Sequence, residues 1–168
     1  MNPQPPAAAP DFDLRAYLRG TWTVERTLLD RSTGTRGSFA GVVRFTETPD
    51  GGLRFREEGT VAWASVPGGP AGTPFSGPAT RDYLLRPSGA PDTMDMFFPD
   101  GRPFHRMGFG PQSGRDQHWC SPDSYRVRYT WTGPDEFRYE WDVTGPAKDQ
   151  LLTSVLRRTT DAAGIRRP

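Results

Sequence analysis

Residues 11–30 read "DFDLRAYLRGTWTVERTLLD", and the hydrophobic period changes in the middle of them. Phe12, Leu14, Tyr17 and Leu18 share one face at helical spacing; Asp11 or Asp13 can cap the first turn, and Gly20 can end it. From Thr21 the period is two. Trp22, Val24, Arg26 and Leu28 alternate with Thr21, Thr23 and Glu25, as in a strand with one buried face. A short helix running into a long amphipathic strand is therefore predicted.

The strand pattern repeats to the end of the chain. "GSFAGVVRFTE" (37–47) aligns Phe39, Gly41, Val43 and Phe45, and the turn signal "TPDGG" follows. "LRFREEGTVAWA" (53–64) aligns Leu53, Phe55, Glu57, Gly59, Val61 and Trp63. "SVPGGPAGTPFSGPA" (65–79) reads as a long Gly/Pro loop. Further strands are predicted in "TRDYLLR", "TMDMFFP", "RPFHRMGF", "DQHWC", "YRVRYTW", "EFRYEWDV" and "DQLLTSVLRRT". Eight to ten antiparallel strands on short links leave no exposed edge if they close into an up-and-down β-barrel; a β-sandwich is the alternative.

Composition bounds the rest. The chain has 168 residues, enough for one domain with a core, and a formal charge of +1. No strong field draws nucleic acid or an anionic membrane, and no apolar run is long enough to span a bilayer. One cysteine excludes an internal disulfide. Residues 1–10, rich in Pro and Ala, are expected to form a disordered tail that is not a signal peptide. Residues 11–160 are expected to form the barrel, and 161–168 a flexible end. A cytoplasmic location is the default expectation, and no feature sets an oligomeric state.

The motif "LRGTW" (Leu18, Gly20, Trp22) resembles the G-x-W signature of the calycin superfamily, which includes lipocalins, fatty-acid-binding proteins and nitrobindins. The resemblance implies that Trp22 plugs the closed end of the barrel and that a last-strand arginine, Arg157 or Arg158, packs across it. Over Phe12–Thr159 the chain is also similar to an uncharacterised calycin-like family of unknown function. The segments carrying that likeness are "LRGTWTVER", "FHRM", "HWCSPDSY", "WDVTGPAKD" and the closing "RR". It implies a fold and no activity.

Alternation names the side chains that face the interior. Asp116, His118 and Cys120 share a face of "DQHWC", and Tyr125, Tyr129 and Tyr139 fall on the inner faces of the next two strands. The hairpin brings His118 near Tyr125 or Tyr129. His118 suits general acid–base work, with Asp123 or Asp116 to orient it and Tyr125 to donate to an oxyanion. The plainer reading is a hydrogen-bonded cluster within a hairpin, with Asp123 serving the "SPDS" turn. Cys120 reads as a small buried hydrophobe or, less simply, a nucleophile.

Glu57 falls among apolar neighbours and needs a cation; Arg26 or Arg81 can supply it, and Tyr83 shares the face of Arg81. Such charges form either a structural network or a clamp for a ligand. For His105, alternation does not decide between inward and outward. Lys148, the sole lysine, is placed at a rim, either solvated or holding an anionic group of a ligand. No residue set has metal-ligand spacing, so no metal is expected. A nitrobindin-like barrel implies a second possibility, haem held by His105 or His118. Three functions follow: a barrel binding a small aromatic or carboxylated metabolite with acid–base chemistry of the isomerase, cyclase or lyase kind; a non-catalytic carrier or sensor; and a haem protein.

Overall fold

The computed structural model describes residues 12–65 and 72–159. Both predicted tails lie outside them, as does the middle of the Gly/Pro loop. Asp13 caps a helix, α1 (Leu14–Leu18), by accepting a hydrogen bond from the Ala16 amide at 3.1 Å. Ten strands follow among the described residues: β1 (Gly20–Asp30), β2 (Thr35–Glu47), β3 (Leu53–Trp63), β4 (Phe75–Pro87), β5 (Thr93–Phe97), β6 (Pro103–Gly108), β7 (Arg115–Cys120), β8 (Asp123–Gly133), β9 (Glu136–Thr144) and β10 (Asp149–Arg158).

All ladders are antiparallel, in the order β6-β5-β4-β3-β2-β1-β10-β9-β8-β7. Except for β6 and β7, strands adjacent in sequence pair with one another, and β1 pairs with β10, so hairpins generate an up-and-down barrel. Closure is nearly complete. β6 and β7 come together without a ladder, and the Asp116 carboxylate of β7 accepts the Arg106 amide of β6 at 2.6 Å across the seam.

The inner and outer faces follow the alternation. Arg54 and Arg56 pair with Asp82 on the outer wall, and Arg56 also reaches Glu58. Such exposed pairs add little stability, but they make turning that face inward costly. The core at the closed end holds Leu14, Leu18, Trp22, Phe137 and Leu156, all essentially inaccessible. Trp22 donates its indole N–H to the Leu18 carbonyl at 2.8 Å. Arg158, not Arg157, covers it: the guanidinium carbon lies 4.2 Å from the indole centroid and the group donates to the Tyr17 and Arg19 carbonyls. A planar cation can both stack on the ring and satisfy helix-end carbonyls.

Two expectations need correction. The Gly/Pro stretch is not a loop throughout, because Phe75–Ala79 already belongs to β4. Pro78 is tolerated there because this half of β4 pairs only with β3; β5 joins β4 from Leu84 onward. The second concerns β6. Met96 pairs with His105 and Phe97 with Pro103, so Phe104 is an extra residue in a bulge. The bulge breaks the period of two and turns both Phe104 and His105 toward the interior. Because β5, β6 and β7 have only 5, 6 and 6 residues, the wall is low on this side and the barrel opens beside the upper half of β4.

Candidate functional site

The floor of the open half is a buried ion pair. Glu57 is 1% exposed and Arg26 5%. Arg26 holds both carboxylate oxygens, at 2.9 and 2.7 Å, and also donates to Ser154 Oγ at 2.7 Å and Tyr139 Oη at 2.6 Å. Burial works against the Arg26 charge, but Tyr139 and Glu57 outweigh it and its pKa rises. Local sequence makes the room. Gly41 and Gly59 face each other in the β2–β3 ladder, and a Cβ at Gly59 would meet the Phe39 ring at 2.6 Å. The Phe39 ring therefore lies down over the paired glycines, and the Arg26 guanidinium sits 4.9 Å from its centroid.

Beside this network His105 is 7% exposed, with Nε2 2.7 Å from Tyr129 Oη and Nδ1 buried without a hydrogen-bond partner. Burial lowers its pKa from 6.5 to about 4, against the opposing pull of Asp116. Burial likewise raises the Tyr129 and Tyr139 hydroxyls. The void touching His105 has a volume of only about 30 Å³.

Above the floor lie two larger cavities. One, about 610 Å³, has aromatic walls: Tyr83, Phe98, Phe104, Tyr125 and Trp141, with His118 among them. Phe104 stacks between Tyr83 and Trp141, with centroids at 5.3 and 5.2 Å, and so ties β4 to β9 across the barrel. The other, about 300 Å³, is lined by Leu28, Leu29, Phe39, Val61, Trp63 and Ala79, above Arg26 and Glu57. Arg81, Gln150 and Leu152 line both. Among the described residues Arg81 forms no ion pair: Glu57 is held by Arg26, and Asp82 by Arg54 and Arg56. Arg81 stands directly opposite Glu57 in the β3–β4 ladder, and its charge still bears on Tyr139, lowering that hydroxyl's pKa against the stronger effect of burial.

The structure sorts the sequence-predicted residues. Arg26, Glu57, Tyr139, His105 and Tyr129 form the polar floor; Arg81, Tyr83, His118, Tyr125 and Cys120 line the larger cavity. His118 opposes Tyr125 in register, as expected, but their rings are 6.5 Å apart and no hydrogen bond joins them. Asp123 does not orient His118: it pairs with Lys148 at 3.1 Å, because the β9–β10 turn delivers that ammonium beside it. Asp116 does not orient it either, since its oxygens accept the Arg106 and Gln117 amides. Lys148 also donates to Tyr125 Oη at 3.2 Å, so the rim lysine has partners within the fold, and hydrogen bonding to Tyr125 and Asp123 raises its pKa. Cys120 is exposed at the rim, not buried.

Sequence reading missed Phe104, hidden by the bulge, and Gln150, whose parity with Leu152 and Ser154 was the available signal. Among the described residues no group of three or more His, Cys, Asp or Glu could hold a metal ion. His105 has Nε2 on Tyr129 and a void of about 30 Å³ beside it, far too small for haem, and among the described residues no side chain hydrogen-bonds His118.

The fold and its open, aromatic-lined interior define an up-and-down antiparallel β-barrel with a cavity of small-molecule size. The sequence matches the family of unknown function DUF6314 over residues 18–158, and the chain belongs to that family. No curated protein matches the sequence. The structure is similar to the S-type phycobiliprotein lyase CPES from Guillardia theta, with a TM-score of 0.59 at 10% identity over 94% of this chain and 98% of that one. It is also similar to a protein of unknown function from the DUF3598 family of Nostoc punctiforme, with a TM-score of 0.58 at 10% identity over 86% of this chain. This chain spans about half of that protein, 48% of its length. At these identities the likeness is one of fold. Among the described residues no helix is long and apolar enough to cross a membrane.

Proposed function

We propose that the protein binds a small aromatic anion, such as a carboxylated metabolite, in the open half of its barrel. One observation carries the reading: Arg81, exposed and with no ionic partner among the described residues, borders a cavity walled by Tyr83, Phe104, Tyr125 and Trp141. A ligand ring gains offset or edge contacts with those side chains, and its carboxylate completes a charge-assisted pair with Arg81. The Arg26–Glu57 pair below is already satisfied and serves to hold the floor. Binding without turnover is the better-supported form, because among the described residues Asp123 and Asp116 are engaged elsewhere and no carboxylate orients His118 for acid–base work.

Two dyes with the same rings test this. Anilinonaphthalene sulfonate carries a negative charge and N-phenylnaphthylamine does not. The anionic dye should bind the protein more tightly than the neutral one, and Arg81→Gln should weaken it roughly ten- to a hundredfold while leaving the neutral dye unchanged. Equal losses for both dyes, or none, would overturn the proposal.

A further inference from the structure

We infer that the ligand is forked: an aromatic arm and an aliphatic arm diverge from one anionic centre. This rests on the anion site proposed at Arg81 and specifies what else that ligand carries. The open half holds two hollows, of about 610 and 300 Å³, and the residues that border both are Gln150 and Leu152 of β10 and, four strands away in the sheet order, Arg81 of β4. An anion held there lies at the entrance of both.

The two hollows differ in chemistry. The larger presents ring faces and edges, with Phe104 fixed between Tyr83 and Trp141, and suits a flat aromatic group. The smaller presents Leu28, Leu29, Val61, Ala79 and the sides of Phe39 and Trp63. Apart from the shared Arg81 and Gln150, its polar side chains are Arg26 and Glu57, which satisfy one another and offer a ligand nothing. A surface of that kind gains from alkyl chains and penalises any unpaired polar atom. A single linear molecule fills one hollow and leaves the other wet; a branched one, with its carboxylate at the branch, fills both.

N-acyl amino acids have this shape, and they separate the inference from the reading beneath it. Calorimetric titration would use phenylalanine acylated with acetyl, butyryl, hexanoyl and octanoyl chains, together with N-octanoyl-alanine. Affinity should rise about threefold or more per buried CH₂ until the small hollow is full. N-octanoyl-alanine should bind at least tenfold more weakly than N-octanoyl-phenylalanine. Ala79→Leu and, independently, Val61→Phe narrow the small hollow; each should abolish the chain-length dependence and leave N-acetyl-phenylalanine bound as before. If N-acetyl-phenylalanine binds through Arg81 but chain length has no effect, the fork is wrong and the anion site stands. If chain length matters but the ring does not, the ligand is linear and the fork is again wrong. If no member of the series binds, both fall.

Discussion

Glu57 faces Arg81 in its own ladder yet forms its ion pair with Arg26, two strands away, at 2.7 Å. The choice leaves one arginine buried and satisfied and the other at the cavity with its charge unmatched. A buried pair of this kind is costly to break from one side. Glu57→Gln should destabilise the fold by about 3–5 kcal/mol, read by chemical denaturation, because it strands the Arg26 charge. Arg26→Met combined with Glu57→Leu should cost clearly less than either single change. A double variant as unstable as the sum of the singles would contradict this account of the floor.

His105 makes stability depend on pH. Its folded pKa is about 4, below the 6.5 of an unburied histidine. Between those values the unfolded chain binds a proton that the folded chain refuses, so unfolding is favoured as pH falls. Stability should be full above about 6.5, decline toward 4 and lose about 3 kcal/mol over that window. His105→Gln, which can still bond Tyr129 but does not titrate, should flatten the curve there. An unchanged slope in that variant would place the titration elsewhere.

Among the described residues one side-chain hydrogen bond crosses the seam between β6 and β7. Asp116→Ala removes the acceptor of the Arg106 amide. Hydrogen exchange at Arg106 should accelerate at least tenfold, the β1–β2 amides should be unaffected, and Asp116→Asn should retain most of the protection. Uniform acceleration across the barrel would mean that the carboxylate supports global stability and not the seam.

Much of this was legible in the sequence because strand alternation is a local rule. It put Glu57 among Phe55 and Val61, placed Arg26, Tyr129 and Tyr139 inside, and brought His118 near Tyr125 or Tyr129, of which the register selects Tyr125. What it left open depends on geometry across strands. Which arginine meets Glu57 follows from strand tilt and from the space over Gly41 and Gly59, neither of which a single strand encodes. The direction of His105 was hidden because one extra residue, Phe104, interrupts the period. The expected service of Asp123 to His118 failed because Lys148, thirty residues from His118 in sequence, arrives beside Asp123 through the last hairpin.

The measurement that bears most directly on the proposed site is an NMR titration with anilinonaphthalene sulfonate, followed at the tryptophan indole N–H groups. Trp141 lines the larger cavity, Trp22 lies in the closed end and Trp63 belongs to the smaller hollow. The account predicts a saturable shift at Trp141 together with the Tyr83 and Gln150 amides, no shift at Trp22, and loss of the effect in Arg81→Gln. Shifts confined to the amides around the exposed Phe75, with Trp141 unmoved, would show the dye on the outer surface and contradict a ligand site inside the barrel.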